Sequence, residues 1–222
     1  NIFNYFKLLQ LLIKGVKLKG FFTVEIRGSL EVGSNVVIGK NVVFEGNVKL
    51  LEGVVISRNS LIKDSIIGSN AHIRSFSIIE GAKVGAKSFV GPMSRLRPHT
   101  EIGEDCQVGN FVEIKNSKIG SKCRINHMAF IGDAFLADEV TIGAGTITCN
   151  HDGLNTNKTV IEKGAYVGSN VNLVAPVTIS SYSTIGSGST ITKDAPKDKL
   201  TIARARQETI NNWKGPSMDK KN

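Results

Sequence analysis

Residues 34–56 read "SNVVIGKNVVFEGNVKLLEGVVI", and within them Ile38, Phe44, Leu50 and Ile56 stand six residues apart. An amphipathic helix repeats its apolar residues every three to four positions and a half-buried strand every two, so neither produces this interval. A coil with three short flat faces does. Each hexapeptide crosses one face, sends one aliphatic side chain inward, and turns the corner on glycine or another small residue. The frame extends back through Val32 to Ile26 and forward to Ile62. Five-residue steps lead to Ile67, Val84, Ile119 and Leu136, with sixes elsewhere through Ile73, Ile79, Val90, Leu96, Ile102, Val108 and Ile114. Ile142 and Thr148 follow, and after a gap the frame returns as Ile161, Val167, Leu173, Ile179, Ile185 and Ile191. So long a frame excludes a generic glycine-rich β-sandwich. The sequence predicts an all-β chain, a parallel β-helix over residues 21–195.

Composition agrees with this reading. Of 222 residues, 41% are hydrophobic but only 6% are aromatic, with 23 glycines and 5 prolines. A core of Ile and Val punctuated by glycine suits stacked short strands better than an aromatic-rich globule. The frame breaks at "CNHDGLNTNKT", where Asn150, Asp152, Gly153 and Asn155 are turn formers, so residues 149–160 are expected to leave the prism as a loop. Residues 1–20 read as a helical linker from a preceding domain, and 196–222 as a C-terminal tail or helix. The opening "IFNYFKLLQLLIKGVKL" contains Lys7 and Lys14, is too short for a membrane span, and lacks a signal-peptide cleavage pattern.

The net charge of +9 points to an anionic partner. Because the charge is spread along the chain and no base-reading motif accompanies it, phosphorylated metabolites or coenzyme A fit better than nucleic acid. The three cysteines, Cys106, Cys123 and Cys149, show no metal-ligand spacing and fit reduced thiols in a cytoplasmic protein.

Four stretches narrow the function: "GPMSRLRPHTEIG", "VGNFVEIKNSKIGSK", "IGAGTITCNHDG" and "VGSNVNLVAPVTI". Together they resemble the C-terminal acetyltransferase half of the bacterial bifunctional UDP-N-acetylglucosamine pyrophosphorylase / glucosamine-1-phosphate N-acetyltransferase. The resemblance runs from the linker to "ARARQETINNWKGP". It implies a left-handed coil, a hand that the period alone does not give, since parallel crossovers are otherwise almost always right-handed. It also implies a homotrimer with ligands in clefts between subunits. The family's uridyltransferase domain, with its magnesium site, would precede Asn1, and no metal is expected in this portion.

The reaction implied is acetyl transfer from acetyl-CoA to the 2-amino group of glucosamine-1-phosphate. Histidine suits removal of the amine proton, and His127 matches the family's catalytic base. Arg97 and Lys115 match its phosphate-side pair, with Glu113 close in sequence to Lys115. Ala144, Asn150, Ser169, Ser187 and Arg204 match coenzyme-side positions. His72 and His99 read as surface residues and His151 as a ligand contact in the loop. Cys149 beside the loop raises a covalent acetyl-cysteine route, whereas the family transfers the acetyl group directly.

Four positions depart from the family pattern. Phe130 replaces a tyrosine and Thr141 an asparagine on the sugar side; His151 replaces a tyrosine and Thr156 a lysine near the coenzyme. These departures leave two alternatives open: an acyltransferase for another amino sugar, and a catalytically weak β-helical trimerisation module.

Overall fold

The computed structural model describes residues 2–213. One helix, Ile2–Ile13, precedes a coil of short strands whose pairings are all parallel. The strands line three faces. The first carries eleven strands, from Lys17–Leu18 to Leu200–Thr201. The second runs from the first half of Glu25–Val32 to Thr190–Ile191, and the third from the second half of Glu25–Val32 to Val177–Ile179, where Ala195 bridges to Ile179. These two faces form one continuous sheet because Glu25–Val32 and Val43–Leu50 cross the corner between them without a break. They do so at Gly28 and Gly46, where a Cβ on Gly28 would lie 2.1 Å from the Gly46 carbonyl oxygen. The coil is a left-handed parallel β-helix.

The inward residues are those of the six-residue frame. Ile26, Phe44, Ile62 and Ile79 stack on the second face, and Ile38, Ile56, Ile73 and Val90 on the first, all of them buried. Val32, on the first rung, is half-buried and packs against this core. Each fully buried aliphatic of this kind contributes about 1.5–3 kcal/mol relative to an exposed one, and Val36, Val42 and Val54, each two residues before a frame position, are buried beside them.

The five-residue steps have a common location, the corner between the second and third faces. Asp64, Gly81, Asn116 and Asp133 occupy it, each at positive φ. Asp and Asn tolerate that region because their short polar side chains bond locally. Buried Ser60, Ser88 and Ser94 at other corners return their hydroxyls to the coil above, as Ser88 does to the Gly103 carbonyl at 2.8 Å. Cys106 and Cys123 continue this Ser88 column, donating to the Gly120 and Ala137 carbonyls at 3.0 and 3.1 Å. They act as small buried donors.

The helix closes one end of the prism. Leu8 and Leu11 are buried against it, Asn4 bonds the Val24 carbonyl and the Ile26 N–H, and Lys7 donates to the Gly28 carbonyl at 2.7 Å. No helix is long and apolar enough to cross a membrane among the described residues. After Leu200–Thr201 the chain forms no helix as far as Trp213, and residues 214–222 of the expected tail lie outside the described residues.

Candidate active site

The corner between the first and second faces sets out a column. Asn110 and His127 are in register on adjacent rungs. The His127 carbonyl accepts from the Gly145 N–H at 3.1 Å, the Ala144 carbonyl from Asn170 at 2.7 Å, and the Ser169 carbonyl from Gly188 at 2.8 Å. This repeated bond stacks His127, Ala144, Ser169 and Ser187 one above another. The Ser187 hydroxyl also accepts from the Ser169 N–H at 3.2 Å. Arg204, exposed, follows the rung above, and its Cδ lies 3.9 Å from where a Gly188 Cβ would be. One histidine therefore stands at the foot of a track of small residues that ends at a cation.

His127 is exposed, and its Nδ1 lies 3.0 Å from the Asn110 Oδ1. An amide oxygen only accepts, so in the neutral ring this contact selects the Nδ1–H tautomer, whose lone pair lies on Nε2. Asn110 escaped the reading of the sequence: it lies seventeen residues from its partner, a separation that becomes adjacency only when the winding is known.

The second face lies between this corner and the one bearing Asp133. Glu113 and Phe130 are in register on it, and Arg97 donates to Glu113 at 2.9 Å. Lys115 is opposite Gly132, with its Nζ 3.9 Å from Asp133. Asn150 leaves the face at its far corner and donates to the same Asp133 carboxylate. A Cβ on Gly132 would lie 2.7 Å from the Phe130 ring and 2.9 Å from the Asn150 amide, so glycine is what leaves room for both side chains there. Arg97, Lys115, Phe130 and Asn150 are thus brought together within the chain.

Thr141 is not part of that group. It sits on the first face, in register with Arg124 and Tyr166, and its side chain is half-buried while the next residue, Ile142, points inward. Phe130 and Thr141 occupy different faces of the prism. His151 is exposed in the loop, where its Nδ1 accepts from the Gly153 N–H at 3.1 Å. Asp152 organises that loop: it accepts from the Leu154 and Asn155 N–H groups and the Asn157 amide, which hold its carboxyl at about 2. His72 is half-buried, 2.8 Å from the Ser57 hydroxyl, and burial lowers its pKa. His99 is an exposed turn residue. Cys149 is half-buried, and burial pushes its thiol pKa up, away from the reactive thiolate.

A groove of about 770 Å3 runs along the third face beneath the loop, lined in part by Lys83, His99, Asp133, Thr156 and Lys158. It shares Asp133 with the second-face cluster, while the His127 column lies at a different corner. Among the described residues, no three His, Cys, Asp or Glu side chains form a metal-ligand group.

The sequence matches the family described as bacterial transferase hexapeptide (six repeats) over residues 81–116 and 158–193. It is 51% identical over 212 residues to the bifunctional protein GlmU of Ralstonia pickettii (strain 12J), covering 96% of this chain and 47% of that protein. The chain carries hexapeptide repeats and is similar to GlmU. The GlmU of Janthinobacterium sp. (strain Marseille) is 47% identical over 211 residues, covering 95% of this chain and 47% of its own length. The chain spans about half the length of the curated relatives it matches. In structure, it is similar to a UDP-N-acetylglucosamine acyltransferase from Campylobacter jejuni, with a TM-score of 0.52 and 17% identity over 68% of this chain and 66% of that one. The Arabidopsis UDP-N-acetylglucosamine acyltransferase gives 0.51 and 17%, over 82% and 70%. At that identity the likeness concerns the fold alone.

Proposed function

We propose that this chain transfers the acetyl group of acetyl-CoA to the 2-amino group of glucosamine-1-phosphate, in the synthesis of UDP-N-acetylglucosamine. The observation that carries this reading is the column in which His127 stands beneath Ala144, Ser169 and Ser187. Small residues leave room for an extended pantetheine arm beside exposed backbone edges, and Arg204 supplies a cation for the coenzyme's phosphates. The similarity to GlmU supports the same assignment.

In this mechanism Arg97 and Lys115 bind the sugar phosphate, and Phe130 packs beside it. His127 Nε2 accepts a proton from the amine as its nitrogen attacks the thioester carbonyl, while the Nδ1–H stays bonded to Asn110. A tetrahedral intermediate forms, the carbon–sulfur bond breaks, and the proton on Nε2 passes to the departing coenzyme A thiolate. The imidazole is neutral again and the amide is complete. The raised thiol pKa of Cys149 disfavours a covalent route.

The same reading calls for more than one copy of the chain, and the resemblance to GlmU makes that assembly a homotrimer. Phe130 and Thr141 can face one sugar only if they come from different protomers, because one prism holds them on different faces. A cleft between adjacent prisms meets that requirement. The departure at Phe130, which offers no polar group, favours a second reading in which the acceptor is another amino sugar. Measuring coenzyme A release with glucosamine-1-phosphate and a panel of amino sugars decides between them. Turnover with glucosamine-1-phosphate supports the first, turnover only with another sugar the second, and no release with any sugar leaves a trimerisation module.

A further inference from the structure

Asp133 makes contacts that the chemistry above does not use. Its side chain is only 10% exposed, yet no fixed positive charge is in direct contact, since the Lys115 Nζ stands 3.9 Å away. Instead Asn116 donates to Oδ1 and Asn150 to Oδ2, the oxygen that Lys115 also approaches. Its backbone is equally occupied. The N–H donates to the Lys115 carbonyl at 3.0 Å, and the carbonyl accepts from Thr159 at 3.3 Å. Asn150 is where the loop leaves the coil, and Thr159 begins the strand to which it returns.

We propose that Asp133 is a positioning residue that fixes both ends of the 150–158 loop to the rung bearing Lys115, and so couples the acceptor side of the site to the coenzyme side. The proposal rests on the roles given above to Lys115 and Asn150. A nearly buried carboxylate is costly unless its lone pairs are used. Here two amides use them while the Lys115 ammonium stands 3.9 Å from one oxygen, so the corner, the loop and the rung bearing Lys115 meet at this carboxylate. The positive φ of 51° at Asp133 puts its side chain at the corner from which the loop emerges. An aliphatic residue there would leave the Asn116 and Asn150 donors unpaired. Asparagine keeps the shape and tolerates the backbone conformation, but it carries no charge for Lys115 and can accept on one side only.

The test uses Asp133→Asn in the full chain, alone and combined with Lys115→Met. The single variant should exchange the loop amides of 151–157 at least about tenfold faster, with the core amides of Ile125 and Ile131 unchanged, the scale expected from losing a charge-assisted bond. It should raise KM for both glucosamine-1-phosphate and acetyl-CoA about tenfold or more while kcat changes less. In the Lys115→Met background the effect on the acceptor KM should largely disappear, and the effect on the acetyl-CoA KM should remain. Unchanged loop exchange, or an acceptor effect of equal size in both backgrounds, overturns the proposal. If wild-type protein proves not to turn over glucosamine-1-phosphate, the functional reading fails on its own. Loop exchange together with calorimetric binding of coenzyme A then decides the role of Asp133, and unaltered values for both would reject it.

Discussion

His127 illustrates how far one residue can be read without its neighbours. A histidine among aliphatics in a repetitive sequence is usually structural, and the proposal that this one is a base starts from its match to the resembled family rather than from its setting. The coil adds the physical reason: Asn110 accepts from Nδ1 and leaves Nε2 available. Replacing His127 with alanine should lower kcat by about 10²–10⁴, the range for a lost general base. Because the side chain is exposed, the thermal midpoint should stay within a degree or two of wild type, roughly the scale of a surface change. Wild-type turnover would remove His127 from the mechanism. Cys149→Ser should retain most activity, and a trapped acetyl group on Cys149 would restore the covalent route. Phe130 and Thr141 look equivalent in sequence as lost polar groups, but the fold separates them. Phe130→Tyr alone should therefore lower KM for glucosamine-1-phosphate by about three- to tenfold, the scale of one recovered hydrogen bond, without moving KM for acetyl-CoA. A rise in that KM instead would mean that the pocket is built around the phenyl ring.

At the scale of elements, the faces were legible because one inward residue per hexapeptide is a strong and nearly unbroken signal. The loop was legible as a break in it. What held the loop was not. Asp133 and Asn150 are seventeen residues apart, and Asn110 and His127 share that spacing, but other cross-rung neighbours lie eighteen or twenty-five apart, as Arg95 and Glu113 or Thr141 and Tyr166 do. The spacing depends on the number of tight corners and insertions passed, so contact follows from the winding and not from any local motif. Asp152 gives the loop a pH dependence of known sign. Its folded pKa is about 2, below the ordinary value near 3.9. Its contribution to loop order is complete above the ordinary value and lost as pH falls through about 2. A carboxyl titration by NMR should therefore show a midpoint near 2, with the Leu154 and Asn155 amides shifting in parallel. A midpoint near 4, the unperturbed range, would show that the turn bonds are not maintained in solution.

The whole molecule is a stack in which each rung is stabilised by the two beside it. Ile114 is fully buried in the middle of that stack, and Ile114→Ala should cost about 2–5 kcal/mol in chemical denaturation. A smaller loss would mean that the coil collapses around the gap. The prism itself offers columns at its corners rather than an enclosed pocket at His127, and this is why a single chain's sequence could assign residues to a site without showing where the site closes. Light scattering at working concentration should give three times the mass of the chain, and a monomer would contradict a cleft shared between protomers. The most direct test of the whole reading is the release of coenzyme A on adding glucosamine-1-phosphate to wild type and to His127→Ala in parallel. The mechanism predicts acetyl transfer in wild type, lost by at least about a hundredfold in the variant. Equal release by both proteins, or none by wild type, would contradict it.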